Sequence, residues 1–199
     1  YLTGRLNPGV GPHDVALALV GATYANGYVK NKVMEFAGPG VASLSADCRN
    51  GIDCMTTETT CWSSIWQTDG VTEEYLAGHG RADAYKELKP ADVAYYDGCI
   101  ELDLSKIECM IALPMHPSYA YPIRELKANA KDLLHEIETR ANEQLSGKVK
   151  MDLVSKVRAD GSIYVDQGIV AGCSGGTYEN LCAVADILRG KSCGNGEFK

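Results

Sequence analysis

Apolar residues along this chain recur at two spacings, one helical and one extended, with glycine and proline between them. Val15, Ala18, Leu19 and Ala22 fall on one face after Pro12, which suits the first position of a helix, and Gly27 suits its end; the spacing predicts a helix through Ala25. Val33, Met34 and Phe36 then read as a buried strand, and Gly38-Pro39-Gly40 as a hard turn. Ser45 and Asp47 are cap candidates for a second helix that turns Ile52 and Met55 inward and carries Glu58 at its far end. Cys61 to Trp66 has strand composition, Thr72 to Ala77 a short helix ended by Gly78-His79-Gly80, and Cys99 to Leu104 alternates as a strand. A further apolar run, Cys109 to Leu113, precedes the chain-breaking Pro114, Pro117 and Pro122.

The longest helical pattern starts at Pro122, with Ile123, Leu126, Ala130, Leu133, Leu134, Ile137 and Ala141 near one face; Gln144 to Lys150 then loosens into a boundary or linker. Gly168 to Ala171 predicts a buried strand, Gly172 to Thr177 a glycine-rich turn, and Tyr178 to Leu188 a helix. The fold these elements predict is α/β: a sheet of mixed direction with helices on both faces, holding Val33 to Phe36 and Gly168 to Ala171 centrally. The last residues, Gly194 to Lys199, read as a turn entering a new strand.

With 199 residues and a hydrophobic fraction of 45%, the chain can bury a real core. A net charge of −7, a pI near 5.1 and no cluster of Lys and Arg with interleaved aromatics argue against nucleic acid or an anionic membrane as partner. No apolar run approaches the roughly 20 residues that cross a bilayer, and no signal peptide opens the chain, so a soluble, cytoplasmic protein is expected. Eight cysteines, at 48, 54, 61, 99, 109, 173, 182 and 193, form no C-x-x-C pair. Free thiols are expected, most of them small buried apolar residues.

Two positions carry candidate chemistry. Glu58 lies in a run of threonines with no basic residue between Arg49 and Arg81, so it has no local salt-bridge partner, and by itself it reads as a solvated glutamate at a helix end. Cys173 heads a loop between strand and helix, the place where α/β sheets bind ligands. As a phosphate loop this stretch fails, since no G-K-(S/T) follows. Its cysteine reads as a nucleophile, a metal-cluster ligand or an inert core thiol. The histidines read as surface or loop residues: His13 in a first helical turn, His79 in a capping loop, His116 before a proline, His135 off the apolar face.

Taken together, two blocks resemble the aconitase superfamily of iron-sulfur hydro-lyases, which includes the isopropylmalate isomerases. EFAGPGVASLSADCRNGIDCMTTE, Glu35 to Glu58, is similar to the family's E-(Y/F)-x-G-P-G-V-x-S-(I/L)-S running on to N-M-x-x-E, and GCSGGTYENL, Gly172 to Leu181, to its G-C-T-N-(S/G)-x-Y-E-D-(M/L). LTG at Leu2 to Gly4, P-x-D-V at Pro12 to Val15 and AYP at Ala120 to Pro122 support it in collinear order. The resemblance implies that residues 1–150 are the family's second domain, and 151–199 a linker with the opening strand, loop and helix of the third. It implies a parent that dehydrates and rehydrates a hydroxy di- or tricarboxylic acid, with the remaining domains of the same polypeptide as partners and this piece inactive by itself.

By the same resemblance Cys173 is one of three thiolate ligands of a 4Fe-4S cluster in the parent, a cluster expected to be absent from this piece, and Glu58 is the glutamate at the hydroxyl that leaves and returns. Two departures stand beside these positions. Cys54 replaces the Asn of N-M-x-x-E, and Gly175 the Asn of G-C-T-N. They motivate a second reading, a non-catalytic paralogue serving as a cluster-sensing or interaction module. A third is a domain that shares only the fold.

Overall fold

The computed structural model describes residues 1–192 and Gly194, so Cys193 and the turn and strand expected at the end of the chain fall outside the described residues, apart from Gly194. In chain order the elements are β1 (Leu2–Thr3), α1 (Pro12–Thr23), β2 (Val33–Phe36), α2 (Ala46–Met55), β3 (Ser63–Trp66), α3 (Gly70–Gly78), β4 (Leu102–Asp103), β5 (Met110–Ala112), β6 (Ala120–Pro122), α4 (Ile123–Ala128), α5 (Ala130–Gln144), α6 (Gly172–Gly175) and α7 (Tyr178–Leu188). The α/β class holds, with strands of both directions. The ladders are short: β1 runs parallel to β4, β2 parallel to β3 with Phe36 opposite Trp66, and β5 antiparallel to β6.

Leu2 joins the first two ladders. Its amide donates to the Ala37 carbonyl at 2.8 Å, and its own carbonyl accepts from Gly40 at 2.8 Å. That passage explains the glycines of the Gly38-Pro39-Gly40 turn. A Cβ on Gly38, whose φ is +105°, would lie 2.6 Å from the Leu2 carbonyl oxygen, and one on Gly40 2.8 Å from the Leu2 carbonyl carbon.

Two apolar clusters flank α1. The first gathers Leu2, Val15, Leu19, Met34, Phe36, Val41, Ile52 and Leu104; the second gathers Leu113, Leu126, Leu134 and Ile137. Because α1 packs on α2 and also on β5 and β6, it buries Ala16, Leu17 and Val20 as well as the predicted Val15 and Leu19, while Ala22 stays exposed and the helix stops at Thr23. Asp14 fastens its start: one carboxylate oxygen accepts from the Gly11 amide at 2.7 Å, the other from Met110 at 2.6 Å.

Three expectations are corrected. The long helix after Pro122 is two helices, broken at Asn129, whose φ of −128° leaves the helical range while Ala130, Leu134, Ile137 and Ala141 keep the predicted buried face. Gly168 to Ala171 is not a buried strand: the segment pairs with no strand among the described residues, and Ile169 is 75% exposed. Of the seven described cysteines, all free, only Cys48 is buried. Residues 151–163 fold back on α5, where Glu138 accepts from the amides of Leu153 and Val154 at 2.8 and 3.1 Å. No helix among the described residues is long and apolar enough to cross a membrane.

Candidate active site at the junction of α2 and α6

Helix α2 begins as its sequence dictates. Ser45 is the N-cap, its hydroxyl oxygen accepting from the Cys48 amide at 3.0 Å, and Asp47 lies in the first turn. Ile52 is fully buried, and Met55 is half-buried. The helix then tightens into a 3-10 turn, Thr56–Thr59, and stops at Thr60 with a left-handed φ of 65°. The threonines explain the turn: buried Thr59 returns its hydroxyl to the Thr56 carbonyl at 2.6 Å, and Thr56 to Asp53 at 2.7 Å. Glu58 rides on this turn, half-buried, and its carboxylate takes part in no hydrogen bond or ion pair found among the described residues.

The glycine-rich loop folds into α6 and docks on α2. Ser174, 5% exposed, donates to the Gly51 carbonyl at 2.8 Å, and a side chain at Gly51 would collide with Pro12, whose Cβ lies 2.8 Å from the Cβ position. Asn180 holds the loop from α7 by donating to the Ser174 carbonyl at 3.0 Å. One turn beyond Gly51, the Cys54 thiol reaches the Cys173 carbonyl, sulfur to oxygen 3.6 Å. Burial, then the neighbouring Cys173 thiol, pushes the Cys54 thiol above its ordinary value. Cys173 itself is exposed. The structure therefore brings Cys173 to the helix that leads into Glu58, although the two lie more than a hundred residues apart in sequence.

The two helix starts also interlock. Ser45, besides capping α2, donates to the Glu179 carboxylate at 2.6 Å, and the Glu179 amide donates to Asp47 at 3.0 Å. Gly175 has a neighbour that sequence reasoning missed: His13, exposed as expected, points its ring at the loop, with Cε1 3.2 Å from where a Cβ at Gly175 would sit. An asparagine at that position would press on the imidazole.

A second group escaped sequence reasoning. Arg49, 4% exposed, forms a bidentate pair with Asp69 (2.9 and 2.7 Å) and donates to the Val41 carbonyl at 3.0 Å. Asp69 in turn caps α3 by accepting from Val71 and Thr72. The Arg49 hydrogen bond holds the Asp69 carboxyl below its ordinary value against the opposing effect of burial. A signal was available, since Arg49 lies three residues before buried Ile52 and so shares its inward side. The cleft beside β2 and β3, lined by Glu35, Trp66, Gln67, Lys89 and Tyr96, includes neither Glu58 nor Cys173.

Soft, accessible sulfur suits Cys173 to one corner of an iron-sulfur cluster, with Cys54 as a second thiol beside it. No group of three or more His, Cys, Asp or Glu side chains able to hold a metal ion is gathered among the described residues. The residues present thus fit part of a cluster site.

Residues 1–198 match the model of the aconitase family (aconitate hydratase). Among curated proteins, the chain is 30% identical over 190 residues to the 2,3-dimethylmalate dehydratase large subunit of Eubacterium barkeri, covering 96% of this chain and 37% of that protein. It is 28% identical over 190 residues to the 3-isopropylmalate dehydratase large subunit of Clostridium kluyveri, with the same coverage. To 3-isopropylmalate dehydratase large subunit 1 of Pyrococcus furiosus it is 30% identical over 188 residues, covering 94% of this chain and 36% of that protein. The chain thus spans a little over a third of the length of these relatives. With a family match across nearly its whole length, and with both matching blocks meeting where α6 rests on α2, the chain belongs to the aconitase family.

Proposed function

We propose that this chain is part of an iron-sulfur-dependent hydro-lyase that removes water from a hydroxy di- or tricarboxylic acid and adds it back. The observation that carries the reading is the docking of the Cys173 loop on α2, which sets an exposed thiol beside the helix that runs into Glu58. The relatives are named for dehydration of substituted malates, so a hydroxy dicarboxylate is the substrate class to try first. They are also named large subunits, which makes a companion polypeptide a partner candidate beside the remaining domains of the same chain. In the domain reading, residues 1–150 form one unit and 151–199 open the next. The protein works in the cytoplasm, and the piece by itself is inactive.

Cys173 would be one thiolate ligand of a 4Fe-4S cluster in the parent, and the cluster, when bound, supplies a Lewis acid for the departing hydroxyl. Glu58 handles the proton. Its carboxyl, on a turn held by threonine hydroxyls and without a cation beside it, donates to the hydroxyl oxygen as that group leaves, and takes the proton back when water adds. The fixed turn sets the direction of the carboxyl; its half-burial strengthens a charge interaction made there.

A second reading, a non-catalytic relative serving as a cluster-sensing or interaction module, is favoured by Cys54 and Gly175, which replace the two asparagines beside the thiol. One set of measurements separates the two: iron and acid-labile sulfide in the anaerobically reconstituted full-length parent, in Cys173→Ser and in Glu58→Gln, followed by dehydratase assays on substituted malates. The hydro-lyase reading expects Cys173→Ser to lose the cluster. It expects Glu58→Gln to keep its iron and lose activity by roughly 100-fold or more. A parent that binds iron and sulfide but turns over no hydroxy acid moves the second reading ahead, and an unchanged cluster in Cys173→Ser removes the ligand assignment.

A further inference from the structure

The Cys54 thiol has a use that the hydro-lyase reading leaves open. We propose that Cys54 and Cys173 are a reversible oxidation site, closing to an intramolecular disulfide when the chain carries no cluster. The inference goes beyond the functional reading and rests on the packing of α6 against α2.

The thiols are held at one place by bonds other than their own. Ser174 pins the loop to the Gly51 carbonyl at 2.8 Å, one helical turn before Cys54, and the bond is buried. The Ser174 carbonyl oxygen packs 3.5 Å from the Gly51 Cβ position, in ordinary contact. Cys54 then lies with its sulfur 3.6 Å from the Cys173 carbonyl oxygen, its thiol donating to the backbone of the very residue whose thiol is its proposed partner.

The two sulfurs differ in access, Cys173 exposed and Cys54 half-buried, which is the arrangement of an attacking thiol with a resolving partner. Of the other described cysteines, Cys48 is buried, Cys61 donates to the Thr56 carbonyl and Cys109 to the Gly9 carbonyl, while Cys99 and Cys182 are exposed.

The oxidant is a peroxide. The Cys173 thiolate attacks one peroxide oxygen, the O–O bond breaks, and the departing hydroxide takes a proton to leave as water, so that Cys173 becomes a sulfenic acid. Cys54 sulfur then attacks the Cys173 sulfur, forming the S–S bond and expelling a second water. Two thiols and one peroxide give one disulfide and two waters, a two-electron oxidation that a dithiol reductant reverses. Under the cluster reading the same bond would keep an empty site in a recoverable form.

The test uses the 199-residue chain, prepared reduced and free of iron, treated with one equivalent of hydrogen peroxide, blocked and digested without reduction. Trypsin leaves Cys54 in the peptide Asn50–Arg81 with Cys61, and Cys173 in Ala159–Arg189 with Cys182, so fragmentation assigns the linked residues. The expected result is a Cys54–Cys173 link as the main product. It should be lost in Cys54→Asn and Cys173→Ser, retained in Cys61→Ser and Cys182→Ser, and reopened by dithiothreitol. In Cys54→Asn, dimedone should trap Cys173 as the sulfenic acid.

A link that survives Cys54→Asn, one that joins Cys182 in place of Cys173, or one that forms equally in denaturing urea overturns the proposal. So does free alkylation of both thiols after peroxide. Because no iron is present, these outcomes stand whether or not Cys173 proves to be a cluster ligand.

Discussion

Replacing Arg49 by Met keeps a long unbranched stem in the core and removes the guanidinium. The Asp69 carboxylate, a quarter exposed, would lose both of its 2.7–2.9 Å bonds but keep those from the Val71 and Thr72 amides. Losing a charge-assisted pair of this exposure costs about 2 kcal/mol, less than the ~3–5 of a fully buried pair. The Val41 carbonyl, on a residue with no exposed surface, would lose the Arg49 donor but keep the Leu44 amide, at about 1 kcal/mol. Against these, the Arg49 Nε is buried with no partner among the described residues, so its removal returns about 1 kcal/mol.

Arg49→Met should therefore destabilise by about 2 kcal/mol, a fall of about 1 M in the urea midpoint at neutral pH for a slope near 2 kcal/mol per M. The pH dependence carries a separate signature. The folded Asp69 carboxyl titrates below its unfolded value, so the pair's contribution is complete above that unfolded value, about 3.9, and is lost as pH falls through the folded one. The gap between the proteins should narrow as pH drops below about 5. A midpoint shift under ~0.3 M, or a gap that stays constant on acidification, would refute the reasoning.

Two further outcomes follow from single residues. Gly38→Ala places a Cβ 2.6 Å from the Leu2 carbonyl oxygen at a φ of +105°, and should cost about 3 kcal/mol or more in urea unfolding. Gly70→Ala, with open space around its Cβ position, is the near-neutral control; equal midpoints for the two would remove the close-approach account. Burial pushes the Cys48 thiol up to about 12, so iodoacetamide at mildly alkaline pH should label it at least ~100-fold more slowly than exposed Cys173, as read by peptide mass spectrometry. Comparable labelling rates would mean that α2 opens readily.

What the sequence made legible was local. The α7 limits, the β2 strand and the Ser45 cap follow from periodicity and capping chemistry that a few neighbouring residues determine, and each stands at its expected place. Gly168 to Ala171 misled because an apolar run reports a tendency to be covered, whereas a strand also needs an edge to pair with. The break at Asn129 carried neither proline nor glycine, and the apolar spacing continued across it. The cysteines misled through their usual habit: a thiol is small enough for a core but is not driven there as strongly as Leu or Ile.

At the candidate site, the motifs marked Glu58 and Cys173 one at a time. The bonds that assemble their surroundings, Ser174 to Gly51, Cys54 to Cys173, Arg49 to Asp69, span from 20 to 123 positions and leave no periodic trace.

The mutual capping at the starts of α2 and α7 has a dynamic consequence. Helix α7 has no buried residue, so side-chain burial alone does not anchor it. Ser45 serves both ends at once, accepting from Cys48 and donating to Glu179, while Asp47 receives the Glu179 amide. A hydroxyl that donates becomes a better acceptor, so the contacts reinforce one another across more than 130 positions. The amides of Cys48 and Glu179 should then exchange with solvent in a single opening event. Motion in the distal segment would be felt as fraying at the first turn of α2, and firm seating of α7 as its repair.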